Sequence, residues 1–591
     1  MVQDFKETSY YVKAFSYVYA STEVGITSHR GRRIDYAAST QEYDMSNRHW
    51  HSSYGTIPAE INPDAYPSVV AMLEAAMITF ANQAAFKCLG QSVNYAAVDQ
   101  QSLAFAAYLQ NKLGIKKGDR IAVMMPNFIA FPIAFLGIAR AGAIQVNVNP
   151  LYTPRELEHQ LNDAQVSTIV VFSGVSSTVA DVMANTFLKI VITVSPGDGT
   201  SATLPSPPTD TRIVGSLAFA DCIAEGSGMV FNPVKLVGDN LLFLQYTGGT
   251  VGLSKGAALS HRNLVANVEQ FKAFMPDNMR PGQEVVVTAI PLYHIFALMV
   301  NFISYFAVGA ENWLVPNPRD FDNFIDVMKA ARPTVFTGVN TLFAGLVAHP
   351  RSKEIDFSRL RLAAGGGSAI IEATSAKWQA MTGGFIREGY GLSETSPILS
   401  LNPASVTAFS GTTGLPMPST DIKLITDEGM EATIGEAGEV CVKGPQVMGG
   451  YWNQPEANVL SFTDDGYFHT GDIGVFDECG FLKIVDRKKD MIIVSGFKVF
   501  PNEVEAIATG CPGVLECACI GVPDEKTGEA ARLFVVRAPN GTLTAAEVTE
   551  FCRKDLTSYK VPKQVIFIEA LPKSSVGKIL RRALRDMATA V

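Results

Sequence analysis

Between residues 119 and 172 the chain alternates short β-branched runs with helical patterns, and no other stretch constrains the fold as tightly. DRIAVMMP (119–126) reads as a strand ended by proline. Residues 128–141 carry a helical pattern closed by Gly142, and AIQVNVNP (143–150) is the next strand. TPRELEHQLNDA (153–164) predicts a helix, with Thr153 as N-cap, Pro154 at the first helical position and Glu156 at the capping-box position. STIVVF (167–172) follows as a strand. Strands that alternate with helices imply parallel βαβ units. Residues 195–211 (SPGDGTSATLPSPPTDT) are rich in turn formers and read as a loop or internal linker. After about residue 410 the pattern turns β-rich, as in STDIKLITDEG, EAGEVCVKG and GFLKIVDRKKDMIIVSG.

Composition limits what such a chain does. At 591 residues it suggests two to four folding units, taking roughly 100–200 residues per domain. Charged residues are 18% and hydrophobic ones 47%, which excludes disorder of the whole chain. A net charge of −9 and no long Lys/Arg block argue against nucleic acid as a partner. The mean hydropathy of +0.15 leaves a greasy ligand or a membrane-facing role open. Eight cysteines scatter thinly, with no C-x-x-C pair, so neither a zinc site nor a redox dithiol is supported. That usage fits a reducing, cytoplasmic setting. Residues 1–50 lack a basic patch followed by an apolar run and carry several acids, so they read as an N-terminal extension. Ala289–Val308 is long enough to span a bilayer, but Pro291, His294 and Asn301 interrupt it and favour a buried helix.

The chemistry concentrates in LLFLQYTGGTVGLSKGAALSHRN (241–263). An apolar strand feeds a loop of Thr247, Gly248, Gly249, Thr250, Gly252 and Ser254 before Lys255. Glycines let backbone N–H groups approach a phosphate, hydroxyls donate further bonds and a lysine supplies countercharge. It is no Walker A loop, because Lys255 precedes Gly256 instead of following a glycine. Gly252-Leu-Ser254-Lys-Gly256 also satisfies G-x-S-x-G, the serine-hydrolase elbow. Five residues, Thr247 to Val251, separate it from the strand, which counts against an elbow. A ligand-free surface loop is the third reading.

Tyr246 to Gly256 resembles the ATP-phosphate loop of the adenylate-forming enzymes, which include acyl-CoA synthetases, luciferases and peptide-synthetase adenylation domains. Val251 departs from that pattern by removing a hydroxyl. Further motifs follow in the family's order. Gly389-Tyr390-Gly391-Leu-Ser-Glu394-Thr395 resembles its second signature, in which the aromatic ring covers adenine, the threonine approaches the α-phosphate and the glutamate helps hold Mg²⁺. Gly365-Gly366-Gly367-Ser368 resembles the glycine strand end along the adenine and acyl group. Phe468-His-Thr-Gly-Asp472 resembles the third signature, with Asp472 accepting from the ribose hydroxyls. In Asp486-Arg487-Lys488-Lys489-Asp490 the resemblance gives Arg487 a ribose contact and makes Lys489 a hinge. Read alone, that run is a solvated turn.

Near the C-terminus the resemblance sends Lys578 of PKSSVGKI into the site; Arg581, Arg582 and Arg585 beyond it read as a solvated face. Pro291-Leu-Tyr293-His294-Ile-Phe296 resembles the acyl-pocket segment, with His294 orienting the carboxylate; a satisfied buried histidine is the alternative. This segment, Pro150–His159 and Val494–Glu505 match the fatty-acyl branch, where Gly496 would border the pantetheine arm.

The expected fold is thus α/β: a large N-terminal body of βαβ sheets with a small β-barrel-like lobe, then a small mobile α+β C-terminal domain. The expected divisions are 1–50, an ATP- and acyl-binding domain over 51–485, and a lid over 486–591. The resemblance implies a fatty acid–CoA ligase using ATP, Mg²⁺ and coenzyme A, for long-chain acids. Transfer that stops at acyl-AMP, or another apolar acid, stays open. So do peripheral contact with the inner face of a membrane and the oligomeric state, a homodimer included.

Overall fold

A computed structural model describes residues 48–247, 254–539, 541–574 and 577–589. The expected extension up to residue 47, and Gly248, Gly249 and Thr250 of the phosphate loop, lie outside the described residues.

The alternating region folds as its periodicity requires. Strands Arg120–Met124, Ile144–Asn147, Thr168–Phe172 and Ile190–Val194 run parallel in one seven-stranded sheet. Helix Ala130–Arg140 is buried along its whole length, consistent with its apolar sequence, and Gly142 turns the chain at φ +76°. Thr153 and Glu156 form the predicted capping box of helix Pro154–Asp163. Residues 195–211 carry no helix or strand. Strand Leu241–Thr247 joins this sheet in parallel, and Lys255–Ser260 closes its edge in antiparallel.

A nine-stranded sheet forms the second layer of the body. Its centre is parallel, including Val285–Thr288, Val335–Gly338, Leu362–Gly365 and Arg387–Gly391. Both sheets share one apolar core with the helices between them. Residues 289–308 are mostly buried, as expected, and Phe296–Ser304 forms a π-helix. No helix among the described residues is long and apolar enough to cross a membrane.

The β-rich lobe is an antiparallel meander of Asp421–Ile425, Gly438–Lys443, Phe468–Phe476 and Leu482–Arg487. Its outer strands do not pair with one another among the described residues. Trp50, 1% exposed, stacks on Phe476 of this lobe at 5.2 Å. The final α+β portion packs helices Pro501–Thr509, Ala545–Asp555 and Arg581–Thr589 on a five-stranded sheet. Arg581 and Arg585 are not the solvated face that was expected. Arg581 pairs with Glu505 and Asn502, and Arg585 pairs with Asp490, because partly buried cations need partners. All eight cysteines are free thiols.

Candidate active site

In open α/β sheets, ligands bind beyond the carboxyl ends of the parallel strands. Here those ends carry Thr247, Gly365 and Gly391, and the segment after strand Val285–Thr288 carries His294. Gln245 bridges the two layers by donating to the Tyr293 carbonyl at 3.1 Å.

Thr247 and Lys255 are register partners across the hairpin. That arrangement rules out the hydrolase elbow: Ser254 leads into a strand, whereas an elbow leads into a helix. Helix Pro154–Asp163 braces both sides of the hairpin at that end. His159 Nε2 lies 2.8 Å from the Ser254 carbonyl, and Asp163 accepts from the Tyr246 hydroxyl at 2.5 Å. Lys255 Nζ lies over the ring of Tyr451, 5.1 Å from its centroid, and the Tyr451 hydroxyl donates to Glu394 at 2.8 Å.

Glu394 and Thr395 occupy a short turn after strand Arg387–Gly391. Only glycine fits at 391, where a β-carbon would lie 1.8 Å from the Pro397 carbonyl oxygen. Burial pushes the Glu394 carboxyl up, while its backbone and Tyr451 hydrogen bonds oppose the rise. No cluster of three or more His, Cys, Asp or Glu that could hold a metal exists among the described residues. A Mg²⁺ here would therefore use one buried carboxylate plus phosphate oxygens, a donor set suited to that hard cation. The Thr395 hydroxyl is committed inside the turn, 2.7 Å from the Pro397 carbonyl and 3.0 Å from the Leu392 N–H.

Tyr390 donates to Asp472 Oδ2 at 2.7 Å, and Arg487 Nε lies 3.6 Å from Asp472 Oδ1. Burial raises the Asp472 carboxyl against the pull of Arg487. The glycine strand end meets both other motifs. A β-carbon at Gly366 would lie 3.6 Å from the Phe296 ring, and one at Gly367 3.4 Å from Lys578 Cε. Lys578 reaches this point because Gly577, at φ +78°, passes against Val339 and Thr341 without a side chain. Its ammonium is pushed down to about 8 by burial and by Arg487. His294 is pushed down to about 3 by burial and by the Lys578 charge, so it is neutral. Its Nδ1 accepts from the Phe296 N–H at 3.4 Å, which leaves the proton on Nε2 as a donor.

One predicted residue is not brought in. Gly496 sits at φ +84° in the exposed turn between Ile492–Val494 and Phe497–Val499, and Lys498, two residues on, pairs with Asp427 of the lobe. Lys489 lies exposed between strand Leu482–Arg487 and that hairpin. Sequence reasoning missed Tyr451 and gave His159, the end of the Pro150–His159 segment, no role of its own; both gain one only by what they touch.

Fold and site together define an adenylate-forming enzyme. The AMP-binding enzyme profile matches residues 73–452, and the AMP-binding enzyme C-terminal domain matches residues 503–578. The chain belongs to the AMP-binding enzyme family. It is 48% identical over 551 residues to a long-chain-fatty-acid–CoA ligase of Salmonella typhimurium, covering 91% of this chain and 98% of that one. A Bacillus subtilis protein of the same name is 35% identical, covering 92% and 99%. An anthranilate CoA ligase solved with anthranoyl-AMP superposes with a TM-score of 0.81 at 25% identity, covering 90% and 100%. ATP-bound MatB from Rhodopseudomonas palustris gives 0.77 at 30% identity, covering 88% and 98%.

Proposed function

We propose that this chain is an ATP-dependent long-chain fatty acid–CoA ligase working in two half-reactions. The observation that carries the reading is Lys578, which lies beside Gly367 and close enough to His294 to depress its basicity. The relatives named for long-chain acids, matched over nearly their full length, support the substrate class.

A carboxylate resists nucleophiles because its charge repels them and oxide does not leave. In the first half-reaction the acid's oxygen attacks the α-phosphorus of ATP, forming acyl-AMP and expelling pyrophosphate. Such displacements need positioning and charge neutralisation more than covalent help. The His294 Nε2–H orients the acyl carboxylate, and Lys578 screens the repulsion between two anions brought together. Tyr390 holds Asp472 oriented toward the ribose, Arg487 contacts the same sugar, and Thr247 and Lys255 face the phosphates. Mg²⁺, when bound at Glu394, supplies countercharge to the phosphates. Thr395 keeps the Glu394 turn in shape.

In the second half-reaction the CoA thiol attacks the acyl carbonyl and AMP leaves. The two steps want different surroundings. We assign residues 51–485 to the ATP- and acyl-binding domain and 486–591 to a lid turning about Lys489. The approach of Lys578 to Gly367, with Gly496 in an exposed turn, supports reading this arrangement as one suited to the first step. The acyl tail runs along the apolar Phe296 segment. Long acyl chains partition into bilayers, so the reading includes peripheral membrane contact.

Pyrophosphate release measured across acids from acetate to C18, with an aromatic acid beside them, tests the reading. Release that peaks at long chains, with free thiol disappearing when CoA is added, is expected. Release without thiol loss would mark an acyl-AMP ligase, and a peak at an aromatic acid would overturn the long-chain assignment.

A further inference from the structure

Tyr451 belongs to none of the motifs that define the site, yet it touches two of them. Its ring lies under Lys255 Nζ at 5.1 Å, the range in which an aromatic face attracts an ammonium. Its hydroxyl donates to Glu394 Oε1 at 2.8 Å, a charge-assisted bond to a buried carboxylate. The residue is held firmly enough to position both. The Ala258 N–H donates to the Gly450 carbonyl at 3.0 Å and the Trp452 N–H donates to the Gly256 carbonyl at 2.8 Å, so Tyr451 forms an isolated antiparallel bridge to Ala257 on strand Lys255–Ser260. The Asn458 side chain brackets Tyr451, accepting from its N–H at 2.7 Å and donating to its carbonyl at 3.0 Å. The Met448 N–H donates to the Glu394 carbonyl at 2.8 Å, fastening the same segment to the Glu394 turn.

We infer that Tyr451 is a positioning residue that sets the spacing between the phosphate lysine and the metal carboxylate. The inference rests on the reading of Lys255 and Glu394 given above. One tyrosine addresses both through different parts of its side chain. The hydroxyl aims Glu394, and the ring face keeps the Lys255 ammonium on the phosphate side. Removing the two parts separately therefore produces two different defects.

The test is binding of α,β-methylene-ATP, which does not release pyrophosphate, by isothermal titration calorimetry at a series of Mg²⁺ concentrations and without Mg²⁺. Wild type binding the analogue with Mg²⁺ dependence establishes the reading of the site; wild type failing to bind sinks that reading and the inference with it. Given wild-type binding, Tyr451→Phe keeps the ring and loses the hydroxyl. It is expected to raise the Mg²⁺ needed for half-maximal tightening about five- to tenfold, while Mg²⁺-free affinity stays within about twofold of wild type. Tyr451→Leu is expected to weaken the Mg²⁺-free affinity as well, about threefold or more. Thermal melts of both variants show whether each is folded. A folded Tyr451→Phe with wild-type Mg²⁺ dependence overturns the inference. So does an equal loss with and without Mg²⁺ in that variant, which would mean a merely structural role.

Discussion

The Tyr390 hydroxyl donates to Asp472 Oδ2 at 2.7 Å across 82 residues of chain. The bond joins the end of a parallel strand in the body to a strand of the antiparallel lobe. It orients a buried carboxylate that Arg487 also faces at 3.6 Å, so on the proposed reading the ribose acceptor is in place before nucleotide arrives. Lys578 approaches the same site from the C-terminal portion, and the predictions below follow from that convergence.

Lys578→Ala is expected to slow acyl-AMP formation by about two to three orders of magnitude, the usual cost of losing one preorganised countercharge. Thioester formation from supplied acyl-AMP and CoA should persist. Pyrophosphate release and thiol consumption, measured separately, check this; equal loss of both half-reactions would remove Lys578 from its role.

Burial and Arg487 push Lys578 down to about 8. The useful form is the cation, present below that value and lost above it. The kcat/KM of adenylation should therefore fall as pH rises through about 8, whereas thioester formation from acyl-AMP should lack that limb. His294, held neutral down to about 3, adds no acidic limb near neutrality. Lys578→Arg, which stays charged, should abolish the fall; a fall that persists in it would assign the limb elsewhere.

Lys489→Pro would lock the backbone at φ of about −65° where the lid is proposed to turn. Adenylation should survive, since Lys578 is already at the site, while thioester formation slows by roughly an order of magnitude or more. Unchanged overall turnover would rule out the hinge.

Trp50 fills the face of the lobe opposite Gly480, where a β-carbon would lie 2.4 Å from the Trp50 Cα. Trp50→Ala should cost about 3–5 kcal/mol, as large-to-small core changes do. A lower melting midpoint, with nucleotide affinity retained in the folded fraction, is the expected result; an unchanged midpoint would show that this strap carries no stability.

Much of this protein is local information and was readable along the chain. The capping box at Thr153 and Glu156 and the strand–helix alternation of 119–172 express rules that act within a few residues. Motif order then carried the family resemblance, and with it the expected roles of the site residues. What the chain alone did not decide is which groups meet. Tyr451 lies between Lys255 and Glu394 because it bridges to Ala257 at the sheet edge, and Arg581 and Arg585 are paired because the last helix brings them to Glu505 and Asp490. Thr395 faces into its own turn, and Gly496 stands outside a site that Lys578 occupies. Side-chain contacts across tens or hundreds of residues are set by how sheets and helices pack, and packing has no period that a sequence displays.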